Sequence, residues 1–198
     1  MAAEERILRL AKKLGILRPR DLREHGLART FLQRLVERGA LRRVGRGLYV
    51  LANHEPSLHG SLAAVARQTP AAVICLLSAL RLHGLTTQSP FEVWIAIPTR
   101  HRTPTANGIP MRVVRMAEQP LHAGVEKHRI DGVSVPVFDL AKTVVDCFRY
   151  RNKIGLDVAL EAIREYMRLP SRDVDKLLHY AKIDRVSTTI RPYLEVAL

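Results

Sequence analysis

Apolar residues along the first forty positions recur at helical spacing. In "EERILRLAKKLG", Ile7, Leu8, Leu10, Ala11 and Leu14 share one side and Gly15 supplies a stop. "RPRDLREHG" follows as a short second helix, with Pro19 suited to a first helical position and Gly26 to an end. "LARTFLQRLVERG" predicts a third helix. At 100° per residue, Ala28, Phe31, Leu32, Leu35 and Val36 fall together; Thr30, Gln33 and Glu37 lie opposite, flanked by Arg29 and Arg34. After Gly39 the pattern shifts to short β runs, "ALRRV" and "LYVL", joined through "GRG". Its two glycines can take the positive φ that a tight loop needs. Helix, helix, helix, hairpin is the order of a winged helix-turn-helix.

The pattern changes again at "NHEPS", Asn53–Ser57, which reads as a loop-like boundary. "SLHGSLAAVARQTP" and "AAVICLLSALRLHGL" predict helices, the second apolar enough to be buried. "FEVWIAIP" predicts a strand rich in aromatic and β-branched residues. The polar stretch "TRHRTPTANGIP" separates it from a further run, "MRVVRM". "VEKHRI" and "VSVPVF" flank Asp131-Gly132, a strong hairpin signal. The remaining segments, "DLAKTVVDCFRYR", "GLDVALEAIREYM", "PSRDVDKLLHYAKI" and "DRVSTTIRPYLEVAL", form a helical tail. The expected class is α+β. A winged helix-turn-helix occupies 1–52; residues 53–198 form a mixed α/β domain with a small antiparallel sheet and a helical C-terminal tail.

Composition changes this picture only through charge. The 198 residues are 47% hydrophobic and 26% charged, as in most globular proteins. Against 19 Asp and Glu stand 32 Lys and Arg, a net charge of +13 that favours a polyanionic partner. Residues 1–52 hold 13 Lys/Arg and 5 Asp/Glu, net +8, whereas 53–198 hold 19 and 14, net +5 over nearly three times the length. The excess therefore concentrates in the winged helix. Arg42, Arg43 and Arg46 gather around the tip of its hairpin, where folding does not ask for charge; they suit phosphate or minor-groove contacts. On the third helix, Arg29, Thr30, Gln33 and Arg34 are long and polar enough to reach base edges, Gln33 suiting adenine and Arg34 guanine. Glu37 on the same face repels phosphate and bounds the surface. The partner these features predict is double-stranded DNA.

Catalytic chemistry is hard to find. Cys75 and Cys147 sit in the apolar runs "VICLL" and "VVDCF" and read as small buried hydrophobes; there is no CxxC. His54 and His59 match no ligand spacing, Ser78 lacks a GxSxG elbow, and neither a Walker A nor a GxGxxG motif occurs. Asp139 and Asp146 lie seven apart on one predicted helix. One reading makes them an N-cap and a salt-bridge partner. The rival reading makes them the carboxylates of a metal-dependent nucleic-acid-modifying enzyme. No catalytic residue, cofactor or metal is assigned. The N-terminus, "MAAEERILRLAKK", is acidic first and amphipathic after, unlike a secretory signal, and no apolar run reaches membrane-spanning length. A cytoplasmic protein without a membrane partner is expected.

Three segments, "FLQRLVERGALRRVGRGLYVL", "LLSALRLHGLTTQSPFEVWIAIP" and "PVFDLAKTVVDCFRYRNKIGLDVALEAIRE", resemble in their succession the AbiEi antitoxins of type IV toxin–antitoxin systems. The resemblance runs from about Ile7 to Met167. It implies that the winged helix binds inverted repeats in its own promoter and represses the operon, with contacts at Arg29, Thr30, Gln33, Arg34, Arg42, Arg43 and Arg46. It further implies that the C-terminal domain opposes a nucleotidyltransferase-type toxin (AbiEii) without a stable toxin–antitoxin complex. Lys142, Arg149, Arg151 and Lys153, read as exposed basic positions, are the candidate antitoxin surface. The residues alone also fit a plain DNA-binding regulator whose C-terminal domain dimerises or senses a ligand. The oligomeric state stays open.

Overall fold

The three predicted N-terminal helices form at Ala3–Leu14 (α1), Pro19–Glu24 (α2) and Thr30–Glu37 (α3) in the computed structural model, which describes residues 3–55, 57–104 and 108–197. Pro56 of the boundary loop and residues 105–107 of the polar stretch lie outside the described residues. Helix α1 buries Ile7, Leu10 and Ala11, with Glu4 and Glu5 in its first turn and Lys12 and Lys13 in its last, each sign opposing the helix dipole. Pro19 opens α2, and the backbone N–H of Arg18 donates to the Asp21 carboxylate at 2.7 Å, closing that helix's first turn. Helix α3 buries Leu32 and Leu35. Together with Leu17, Leu22, Leu27 and Leu41 these side chains make one core.

The hairpin follows as β1 (Leu41–Gly45) and β2 (Leu48–Leu51), paired antiparallel with an irregularity between Arg43 and Gly45. Of the two glycines in "GRG", only Gly47 adopts a positive φ, at 70°; Gly45 remains in the strand opposite Leu48. Leu17 seals the other edge of β2 through two backbone hydrogen bonds with Tyr49, at 2.8 and 2.9 Å.

The chain divides into two compact units, and the first extends beyond the boundary expected after residue 52. It comprises Met1–Pro70, Thr105–Ile109 and His128–Val135. Helix α4, Gly60–Gln68, belongs to it because Arg67 ion-pairs with Asp21 of α2. Asp131 belongs to it because its carbonyl oxygen presses on Gly15, where an added Cβ would lie 1.6 Å away. Gly15 is at φ 70°, so only glycine ends α1 in this place. The Asp131 carboxylate also accepts from the Ser57 N–H at 3.3 Å. None of these long-range contacts is visible as a shift in composition.

The second unit comprises Ala71–Pro104, Pro110–Lys127 and Pro136–Leu198. Its elements begin with β3 (Val73–Ile74), α5 (Leu76–His83), β4 (Val93–Pro98), β5 (Met111–Met116) and α6 (Glu118–His122). They continue through the hairpin strands β6 (Val125–Ile130) and β7 (Val133–Phe138), whose outer part groups with the first unit. Asp131 and Gly132, at φ 47° and 78°, form the predicted turn between those strands. Helices α7 (Leu140–Arg149), α8 (Arg151–Ile154), α9 (Leu156–Arg168), α10 (Val174–Ile183) and α11 (Ser187–Ala197) make the tail.

The α+β class is as expected, but the sheet is not the small antiparallel one predicted. It has five strands in the order β5-β4-β3-β7-β6 and is mixed: β4 pairs parallel with β5, and β3 parallel with β7. Strand β3 interrupts what reads as a single apolar helix from Ala71. Its two residues pair with Ala96 and Ile95, and Leu76, at φ 47°, turns the chain into α5. Buried Trp94, Phe138, Phe148, Ile163, Tyr166 and Leu177 mark the core on which the tail helices pack.

Candidate nucleic-acid interface

On α3 the predicted contact residues are brought to one exposed side. Arg29, the residue before the first turn, and Thr30, Gln33 and Arg34 are all exposed, while Leu32 and Leu35 face the core. The Gln33 amide donates to Glu37 Oε1 at 3.0 Å, an i,i+4 contact that lays it along the helix. The Arg34 guanidinium lies 5.8 Å from the centroid of the Phe31 ring, which steers it without neutralising it.

The wing arginines are exposed as well, but their surroundings differ. The irregularity at Val44 breaks strand alternation, so Arg42, Arg43 and Val44 are exposed in succession. Arg42 Nη2 donates to the His54 carbonyl at 2.9 Å, and Arg43 Nε donates to the Gly45 carbonyl at 3.2 Å. Arg46 occupies the turn beside Gly47 and is exposed. Both engaged guanidiniums retain further N–H groups, because each carries five donors.

Sequence reasoning missed a basic cleft on the same unit. It is about 420 Å³ and is lined by Pro19, Arg20, Arg23, Leu27 and Arg29. The arginines of "RPRDLR" divide sharply in role. Arg18 is half-buried and donates to Asp21 Oδ1 at 3.0 Å, whereas Arg20 and Arg23 are exposed. Their i,i+3 spacing was the available signal, since it puts both on one side of a short helix.

The candidate antitoxin surface does not assemble as expected. Lys142 is fully buried, not exposed. Its Nζ lies 2.5 Å from Asp146 Oδ1, 2.9 Å from Asp184 Oδ2 and 4.6 Å from the centroid of the Phe138 ring. Burial alone would lower its pKa, but the two carboxylates overcome that and hold the ammonium above its usual value. Arg149 is half-buried, donating to the Asp184 carbonyl at 3.0 Å and to its Oδ1 at 3.3 Å. Arg151, also half-buried, donates to the Phe148 carbonyl at 2.8 Å. Lys153 is exposed, 5.6 Å from the Tyr150 ring centroid.

The Asp139/Asp146 pair is split between separate tasks. Asp139 caps α7 by accepting from the Lys142 N–H at 2.8 Å, and also accepts from Tyr180 Oη at 2.8 Å and Lys176 Nζ at 3.0 Å. Asp146 faces Lys142. Ser78 Oγ accepts from the Trp94 N–H at 2.9 Å. Cys75 and Cys147 are buried, which pushes both thiols well up in pKa. Among the described residues, no group of three or more His, Cys, Asp or Glu side chains is arranged to hold a metal, and no helix is long and apolar enough to cross a membrane.

Residues 5–52, which span nearly all of α1 to β2, match the family model described as "Transcriptional regulator, AbiEi antitoxin". The match is confined to this segment. Over most of its length the chain also has a structural relative, the RV2827C protein from Mycobacterium tuberculosis. The two share a TM-score of 0.51 at 15% sequence identity, over 94% of this chain and 80% of that chain. That likeness is one of fold alone. No curated protein matches the chain.

Proposed function

We propose that the chain is a cytoplasmic, non-enzymatic antitoxin and autorepressor of a type IV toxin–antitoxin operon. In this reading the AbiEi-type domain, at 1–52 with its wing, binds inverted repeats in its own promoter. The carrying observation is the set of exposed cations on α3 and the wing inside the family-matched segment. Helix α3 enters the major groove, where Gln33 and Arg34 read base edges and Arg29 and Thr30 support them. The Gln33–Glu37 bond is exposed and exchanges readily for one to a base. Arg42, Arg43 and Arg46 hold phosphates from the wing.

Residues beyond the domain oppose a nucleotidyltransferase-type toxin without forming a stable complex, as the resemblance to the AbiEi antitoxins implies. Arg149, Arg151 and Lys153 are the proposed antitoxin surface. Lys142 is withdrawn from it by its burial.

The test is fluorescence anisotropy with the full chain, a duplex from its own promoter and an unrelated duplex of equal length. The promoter duplex should bind tighter. Arg43→Ala with Arg46→Ala should weaken both and flatten the salt dependence. Gln33→Ala or Arg34→Ala should instead reduce discrimination, by about 1–3 kcal/mol for a bidentate contact. Indifference of every variant to both duplexes would remove α3 and the wing from the reading. Co-expression with the neighbouring gene's product completes the test: the wing variant should still restore growth.

A further inference from the structure

We propose that the cleft between α2 and α3 is a backbone-phosphate site, in which Arg20 and Arg23 grip one DNA phosphodiester and Arg29 the next. The inference rests on the DNA-binding reading and adds two residues and a distinct role to it.

Asp21 is the only acidic residue between Arg18 and Arg23. Its Oδ1 accepts from Arg18 Nη2, while its Oδ2 accepts from the Arg18 N–H and from Arg67 Nη2. The carboxylate is buried and engaged by both Arg18 and Arg67, whose two positive charges exceed its single negative one, so it offers no neutralisation to their neighbours. The Arg20 and Arg23 side chains form no hydrogen bond or ion pair among the described residues, and both line the cleft with Arg29. None of the residues lining it carries a carboxylate. Three like charges therefore converge on one concavity whose remaining lining, Pro19 and Leu27, is apolar. That arrangement raises the free energy of the empty protein, and an anion in the cleft relieves it.

Guanidinium forks match phosphate and carboxylate oxygens in shape and charge, which narrows the anion to these two classes. The position selects its source. Arg29 both lines the cleft and immediately precedes α3, so an anion held there lies beside the exposed Thr30, Gln33 and Arg34. A phosphodiester of the duplex that α3 reads meets that requirement. Its role is to fix the register of the helix on DNA, not to read sequence.

The experiment compares the full-length wild type with an Arg20→Gln/Arg23→Gln double variant, using the promoter and unrelated duplexes at 50–200 mM KCl. A Lys12→Gln/Lys13→Gln variant, altered in the last turn of α1, removes the same net charge elsewhere. The Arg20/Arg23 variant should melt no lower than the wild type, because neither side chain has a hydrogen-bonding partner to lose among the described residues and like-charge repulsion is relieved. The Arg20/Arg23 variant should lose affinity for both duplexes by the same factor. Its plot of log affinity against log salt should be shallower by about 0.9 for each phosphate no longer neutralised. The α1 variant should keep the wild-type slope. Wild-type affinity and slope in the Arg20/Arg23 variant would overturn the site, as would an equal loss in the α1 variant. A loss confined to the promoter duplex would also overturn it, by making these residues sequence readers. If the wild type binds neither duplex, the DNA reading itself fails, a separate result.

Discussion

Arg67 on α4 ion-pairs with Asp21 on α2 across 46 residues of sequence, with Arg18 holding the same carboxylate at 3.0 Å. The family match ends at residue 52, so part of what holds α2 comes from outside the matched segment. Burial lowers the Arg67 pKa, with Asp21 pulling the other way, which marks the pair as partly withdrawn from water.

Replacing Arg67 by Met should therefore cost about 2 kcal/mol, the scale of a hydrogen bond to a charged group. Urea denaturation of the full chain measures it. An unchanged midpoint would mean that α4 contributes nothing to holding α2.

Lys142→Met leaves Asp146 and Asp184 buried without their shared cation, and breaking such a pair costs about 3–5 kcal/mol. Adding Asp146→Asn should recover part of the loss, because it removes one uncompensated charge. If Lys142→Met melts with the wild type and abolishes growth rescue, the lysine acts on a partner and its structural role is refuted.

Alkaline pH should expose two raised groups together. Burial pushes the Tyr150 phenol up to about 12, against the pull of Arg149, and its hydroxyl donates to the Arg115 carbonyl at 3.2 Å. The native state thus keeps the Tyr150 proton longer than the unfolded chain does. The resulting stabilisation is complete below the ordinary tyrosine value near 10 and disappears as pH rises through about 12. Lys142, also raised, contributes fully below its ordinary value of 10.5 and is lost at higher pH. Unfolding free energy should consequently fall above about pH 10 through these two groups. The difference in tyrosinate absorbance between wild type and Tyr150→Phe should have its midpoint near 12, and a midpoint near 10 would refute the burial account.

Cys75 and Cys147 are buried and their thiols are raised, so neither presents a thiolate at pH 8. A disulfide reagent should find no reactive thiol in the native chain and both in denaturant. Rapid native labelling of either cysteine would contradict its packing.

Local order was legible in the residues alone. The three apolar stripes specify α1 to α3, "GRG" and Asp131-Gly132 specify two turns, and Asp139 specifies the start of α7. Each depends on neighbours within about one helical turn or one hairpin, where propensity and backbone sterics act. Charge density also located the basic first quarter without any coordinates.

Which cations remain available depends on tertiary contacts. Arg18 and Arg20 are two residues apart and chemically identical, yet one shares a buried carboxylate with Arg67 and the other faces a cleft. Lys142 reads as a surface lysine until Asp184, 42 residues later, closes over it. The two-residue strand β3 exists because Ala96, Ile95 and Val137 pair with it, and the first unit runs to Pro70 because Arg67 reaches back to Asp21. In each case the deciding partner is distant in sequence. Neutralisation of a charge and pairing of a strand are properties of contacts between segments, and no local pattern encodes the distant half.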